Sequence, residues 1–263
     1  MVIPMHSKGS VDKNTVLSIN RSKVQSTVNA QNILSLNKPT WSSTAPVATT
    51  PNASTHASPH SSMQPVSSSP SPTGMISKKP IPPLKHPIQK GQKVPLTTNS
   101  PSLDALFGWN IKNPQCDVDI SAFLLGENGK VLGDDWFVFY GQPQSPDKSI
   151  NLSTNESVDR QKVSIDFQKL HPNVKKVVFV LTINEAFEHK LNFSMIEDAY
   201  MRIMDPSGNE VVSFAMSDYY DNVISMMIGE IYLYNGAWKF SSVGNGVARD
   251  LAGLCELYGV QVN

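Results

Sequence analysis

The sequence predicts an all-β fold: a β-sandwich of two mostly antiparallel sheets with one C-terminal helix, preceded by a disordered N-terminal arm. Three observations carry this. Short apolar and β-branched runs recur through residues 85–263, separated by turns rich in Gly, Asn and Pro. No strand–helix–strand alternation accompanies them, which argues against a doubly wound parallel sheet. A single stretch near the C-terminus carries a helical apolar stripe.

Composition divides the chain of 263 residues in two. Residues 1–84 hold one aromatic residue, Trp41, of 21 in the chain, and 11 of the 19 prolines. Such a segment cannot bury enough apolar surface to offset the entropy of ordering, so it reads as a Ser/Thr/Pro-rich arm and linker. Residues 85–263 can build one sizeable core and are expected to form one domain. The formal net charge of zero hides an asymmetry, +6 on the arm and −6 on the domain. An acidic domain favours cations over nucleic acid, and the arm's charges form no dense basic cluster. Protein partners are expected, with the oligomeric state left open.

Cys116 and Cys255 lie in no Cys-x-x-Cys pair and beside no His, which argues against zinc and for reduced, independent thiols in a cytoplasmic protein. No apolar run reaches the roughly 18 residues of a membrane span, and MVIPMHSKGS lacks the apolar core of a secretory signal.

In chain order, Val24–Leu36 has weak helical character and residues 40–73 form a Pro-interrupted linker. KKPIPPLKHP (78–87) reads as an extended, polyproline-like approach, with order beginning near Ile88. Strands are expected in IQKGQKVPLTT, LDALFGWN (103–110), VDISAFLL (118–125) and DWFVFYG (135–141). A polar loop over 142–160 follows, then strands KVSIDF (162–167) and KKVVFVLTI (175–183). YMRIMD (200–205) and NEVVSFAM (209–216) flank Pro206-Ser207-Gly208, a hairpin signal. IGEIYLY (228–234) and AWKFSSV (237–243) flank Asn235-Gly236, the residues of a type I′ turn. Val247, Leu251, Leu254, Cys255 and Tyr258 form the helical stripe, and Gly259 suits its C-terminal cap.

The candidate chemistry is acidic. Asp117 and Asp119 are two apart at a strand end, so both side chains face the same way. Two like charges on one face repel unless neutralised. Two readings stand: solvated loop residues, or oxygen ligands for a hard cation such as calcium. The EF-hand loop, HExxH, GxSxG and phosphate-loop motifs are all missing from the sequence, and no His pairs recognisably with Ser, Cys or Asp, so no enzyme is indicated.

The pieces KGQKVPL, GWN, DVDISAFLLGENGKV, DDWFVFYGQ, VVFVLTINEA, GEIYLYNGAWKF and VGNGVARDLAGL, ending in YGV, occur together and in a familiar order. From about residue 88 to 263 the chain resembles the TerD family, the tellurium-resistance and stress-protein domain. The resemblance implies a β-sandwich, calcium bound by acidic loops at one end, a role in resistance to tellurite and other stress, and no catalytic activity. Related amoebal proteins are described as cAMP-binding. Carried over position by position, it implies Asp117, Asp119, Gln142, Asp147, Asp159 and Glu185 as metal ligands. The chain departs from the pattern where Asn110 replaces an acid, Arg160 and Gln161 replace two more in a shortened loop, Lys148 replaces a Gly and Asn184 a His. Fewer acids and an added cation weaken calcium, since ligand charge sets affinity. The expectation is a non-enzymatic stress-response interaction module with one weakened calcium site. The alternatives are a metal-free scaffold and a module binding a small anion or nucleotide.

Overall fold

The computed structural model describes residues 78–96, 100–155 and 157–262. The helix expected over Val24–Leu36 and the linker over 40–73 lie outside them. The strands are β1 (Lys93–Pro95), β2 (Ser102–Ile111), β3 (Val118–Leu125), β4 (Phe137–Val138), β5 (Ile150–Thr154), β6 (Gln161–Asp166), β7 (Lys176–Ile183), β8 (Ile196–Met204), β9 (Glu210–Ala215), β10 (Ser225–Tyr234) and β11 (Ala237–Val247). The helices are a single turn, α1 (Ala186–His189), and α2 (Leu251–Tyr258). One sheet runs β1-β11-β10-β7-β3-β4 and the other β5-β6-β2-β8-β9. All pairings within them are antiparallel, which is the expected two-sheet sandwich.

The continuous apolar character of β3 and β7 has a direct cause. Strand side chains alternate between faces, and both faces of these strands are covered. Ile120, Ala122 and Leu124 of β3, with Val177, Phe179 and Leu181 of β7, face the other sheet and join the main core. Phe123, Leu125, Val178 and Val180 face the opposite way and pack under Leu251, Leu254 and Cys255 of α2. Stacked rings extend this second cluster, with Phe123–Phe137 centroids at 4.5 Å and Phe137–Phe139 at 4.7 Å. Burial pushes the Cys255 thiol well above its ordinary range, so it is a packing residue.

The expected hairpins form. Asn235 and Gly236 have φ of 50° and 77°, as a type I′ turn requires, and set Tyr234 opposite Ala237. Gly208, at φ 80°, closes the β8–β9 turn.

Four expectations change. DWFVFYG yields only the two residues of β4, after a 3-10 turn at Asp134–Trp136. Gln142 folds the chain back there by donating to the Asp135 and Phe137 carbonyls at 2.9 and 2.8 Å. The polar loop 142–160 contains β5, because Ile150 and Leu152 alternate inward among polar residues and β5 pairs with β6. The helix starts four residues later than its stripe. Val247 remains in β11 opposite Ser225, and Asp250 caps α2 by accepting from Gly253 N–H at 2.9 Å. Contacts with the domain begin at Lys78, ahead of Ile88.

Gly108, inside β2, is required by a close approach. A Cβ there would lie 2.3 Å from Tyr200 Cζ. Gly108→Ala is therefore expected to destabilise the domain by about 1–3 kcal/mol through overpacking. Urea unfolding checks this; an unchanged midpoint would refute the close approach.

Candidate functional site

Asp117 and Asp119 sit where β3 begins and β7 ends, Asp119 opposite Thr182. Beyond the last pair the strands stay joined, since Asn184 N–H donates to the Asp117 carbonyl at 2.7 Å. The Asn184 amide nitrogen faces Asp117 Oδ2 at 3.4 Å. Its oxygen, Oδ1, is buried and has no hydrogen-bond partner among the described residues. Such an atom forfeits hydration without replacement, and here it belongs to the side chain whose nitrogen faces the Asp117 carboxylate.

Gln161, the first residue of β6, reaches across from the other sheet. Its Oε1 accepts Ile120 N–H at 2.6 Å and its Nε2 donates to Asp119 Oδ1 at 2.7 Å. Burial, reinforced by the neighbouring Asp117 charge, pushes the Asp119 carboxyl up to about 6, against the Gln161 hydrogen bond. This end of the sandwich thus holds the Asp117 and Asp119 side chains and an unpartnered amide oxygen, and among the described residues no cationic side chain is hydrogen-bonded to Asp119 or paired with Asp117.

The other carried-over residues take separate places. Glu185 follows Asn184 directly, with φ 51°, and its Oε2 pairs with His189 Nε2 at 2.9 Å. Asp147 lies at the opposite end of the sandwich, before β5. Its Oδ2 accepts His171 N–H at 2.8 Å and its Oδ1 accepts from Ser145, and from Ser149 twice. Burial opposes its charge, but the Ser149, Ser145 and His171 hydrogen bonds outweigh that and hold its carboxyl below the usual range. Gln142 braces the β4 turn. Asp159, 1% exposed, meets Arg202 of β8 side-on: Nε at 3.0 Å on Oδ1 and Nη2 at 2.7 Å on Oδ2, with Tyr200 OH also on Oδ1 at 3.0 Å. Among the described residues, no group of three or more His, Cys, Asp or Glu converges closely enough to hold a metal ion.

Against this geometry, the TerD domain profile matches residues 84–258. The chain belongs to the TerD family. It is 33% identical over 188 residues to Tellurium resistance protein TerD of Alcaligenes sp, covering 67% of this chain and 98% of the relative. It is 31% identical over 188 residues to General stress protein 16U of Bacillus subtilis (strain 168), covering 66% of this chain and 97% of the relative. A crystal structure of a homologue of telluride resistance protein (TerD) from Streptomyces coelicolor A3(2) superposes with a TM-score of 0.46 at 16% identity, covering 62% of this chain and 98% of that one.

In this TerD-family chain the β3–β7 end collects Asp117, Asp119 and Asn184, with Glu185 adjoining. Asn184 and Gln161 join the candidate site although spacing does not select them: in sequence each is only a departure from an acid- or His-bearing pattern. Nothing local signals Gln161, since its partners lie 41 and 42 residues away in the other sheet. A concavity of about 390 Å³ lies where β3 ends and β7 begins, lined in part by Lys175, Lys176, Glu230 and Tyr258. There Lys176 pairs with Glu230 at 2.8 Å and Lys175 Nζ donates to the Pro172 carbonyl. Among the described residues no helix is long and apolar enough to cross a membrane.

Proposed function

We propose that the protein is a non-enzymatic, cytoplasmic stress-response member of its family that binds one calcium ion weakly where β3 starts and β7 ends. The observation that supports this is the buried, unpartnered Asn184 Oδ1 beside the Asp117–Asp119 pair. Calcium takes oxygen ligands from carboxylates, amides and water. Asp117, Asp119 and Asn184 would hold the ion, and its charge would relieve the repulsion between the two carboxylates. Three protein ligands leave much of a shell of roughly six to eight oxygens to water, which fits weak binding. A bound ion would brace the segments before β3 and after β7 into a surface on which protein partners, including other stress-resistance proteins, dock.

Calcium titration of the full chain, followed by thermal unfolding and calorimetry, tests the reading. A site occupied at about ten times its Kd stabilises by about 1.4 kcal/mol, a rise of about 3–6 °C for a domain of this size. Asp117→Asn with Asp119→Asn is expected to abolish the rise. An unchanged transition at millimolar calcium would sink the proposal, and a rise that survives the double substitution would place the ion elsewhere.

A further inference from the structure

Residues 78–83 precede the region that the TerD domain matches, yet they are bound to it in a particular way. Asn110, near the end of β2, is 3% exposed. Its Oδ1 accepts Lys79 N–H at 2.9 Å while its Nδ2 donates to the Lys79 carbonyl at 3.0 Å. A side-chain amide that meets both backbone groups of one residue reproduces the two-bond pairing of an antiparallel strand. It reads a peptide backbone. The second amide hydrogen goes to Asp198 Oδ2 at 3.1 Å, which fixes the orientation of the clamp. Asp198 has φ 56° and occupies the bulge where β8 carries an extra residue against β2. Bulges re-aim side chains in this way.

The two lysine side chains are read separately. Lys78 Nζ meets Glu197 Oε1 at 2.6 Å. Lys79 Nζ donates to the Ser157 carbonyl at 3.0 Å and the Asp159 carbonyl at 3.5 Å. Pro82 is buried beyond them, whereas Pro80 and Pro83 are exposed and Ile81 is 48% exposed. The segment therefore contributes little apolar area. It is held by an amide clamp, a carboxylate, two carbonyls and one proline contact, the composition of a short-peptide site for an extended, proline-containing ligand. Residues 85–88 differ: His86 and Ile88 exchange backbone hydrogen bonds with Ser213 of β9, and the Lys85 and His86 N–H groups both donate to Glu210 Oε1. They belong to the sheet.

We propose that Asn110, Glu197 and the Ser157–Asp159 carbonyls form a recognition groove for a basic peptide of the Lys-Lys-Pro-x-Pro type, and that the chain's own residues 78–83 occupy it in cis. A partner presenting that sequence chemistry enters by displacing them. The Lys78–Glu197 pair, with the lysine side chain 60% exposed, is of the weak kind, so the segment can leave without disturbing the β9 pairing of residues 86–88. The tether keeps the cis ligand at an effective concentration in the millimolar range, which shields the groove from weak competitors.

The test uses the full chain carrying Lys78→Glu and Lys79→Glu, with a fluorescent peptide of the sequence of residues 77–84 (SKKPIPPL) followed by anisotropy. Removing the cis ligand is expected to tighten peptide binding at least about tenfold over the wild type. Adding Glu197→Lys, at a half-buried carboxylate, is expected to weaken it about tenfold through like-charge repulsion, and Asn110→Ala to abolish it, with thermal unfolding run on each form. Saturable binding that is no tighter in the released chain, no binding to it at all, or binding indifferent to both Glu197→Lys and Asn110→Ala would overturn the assignment. A wild-type dimer that disappears on Lys78→Glu with Lys79→Glu would overturn the cis placement in favour of exchange between two copies.

Discussion

Asp159→Ala is expected to lower the stability of the domain by about 3–5 kcal/mol, because it strands Arg202 without its partner in a largely buried setting. Asp159 is 1% exposed and the Arg202 side chain 17%, so residual hydration of the guanidinium places the loss toward the lower end. Burial opposes the Arg202 charge, but the side-on hydrogen bonds and charge of Asp159 raise its proton affinity overall. Burial also pushes the Tyr200 phenol up, with the Asp159 charge adding to it, so the hydroxyl stays a donor. Replacing both ends with apolar groups, Asp159→Val with Arg202→Met, is expected to recover part of the loss, since no lone charge is then buried. Denaturant unfolding of the three forms checks this. The same variants separate two roles. If Asp159 held calcium, Asp159→Ala would remove the calcium-induced rise in Tm, whereas the pairing with Arg202 predicts that the rise persists from a lower baseline.

Asp119→Asn is expected to act in the opposite direction and to be pH-dependent. The Asp119 carboxyl is pushed up to about 6, by burial first and the Asp117 charge second. A carboxyl whose folded pKa is raised binds its proton more tightly in the native state. Its favourable contribution is therefore complete below about pH 4, the ordinary Asp range, and is lost as pH rises through about 6. At pH 7.5, without calcium, the ionised Asp119 costs about 2–3 kcal/mol at about 1.4 kcal/mol per pKa unit. Asp119→Asn removes that cost, so the variant is expected to be more stable than the wild type at pH 7.5 and to lose the advantage near pH 4. Thermal unfolding across that range measures it, and a difference that does not vary with pH would refute the shifted carboxyl. Asp147 contributes with the opposite sign, because its carboxyl is held low; its stabilisation is present above its ordinary range and fails only under stronger acid.

Much of the fold was legible because its signals are local. The run of β7 and the alternation-then-run of β3 specify strands with one or both faces covered. Asn235-Gly236 specifies its hairpin because both residues tolerate positive φ. The stripe through Leu251, Leu254 and Cys255 marks a buried helix face. β5 was obscured because two inward apolar residues in a polar stretch are too few to establish a period. The start of α2 was obscured because Val247 fits a helical spacing as well as it fits the end of β11. The acid pair at Asp117 and Asp119 was legible for the same local reason as the strands, since residues two apart in a strand share a face.

What the sequence determined by itself is therefore the class of fold, most of its strands and hairpins, and the presence of two carboxylates at one strand end. What only the tertiary structure decided is what meets those carboxylates. Gln161 crosses from the other sheet to Asp119, Asn184 turns its amide nitrogen to Asp117 and leaves its oxygen unpartnered, and Lys79 docks on Asn110 from 31 residues upstream. Asp159 looks like a ligand in sequence but is claimed by Arg202, 43 residues away, and Asp147 lies at the other end of the sandwich. Local periodicity specifies which way a side chain points. The partner it finds depends on which strand lies beside it, which is set by packing two sheets face to face and leaves no trace in neighbouring residues.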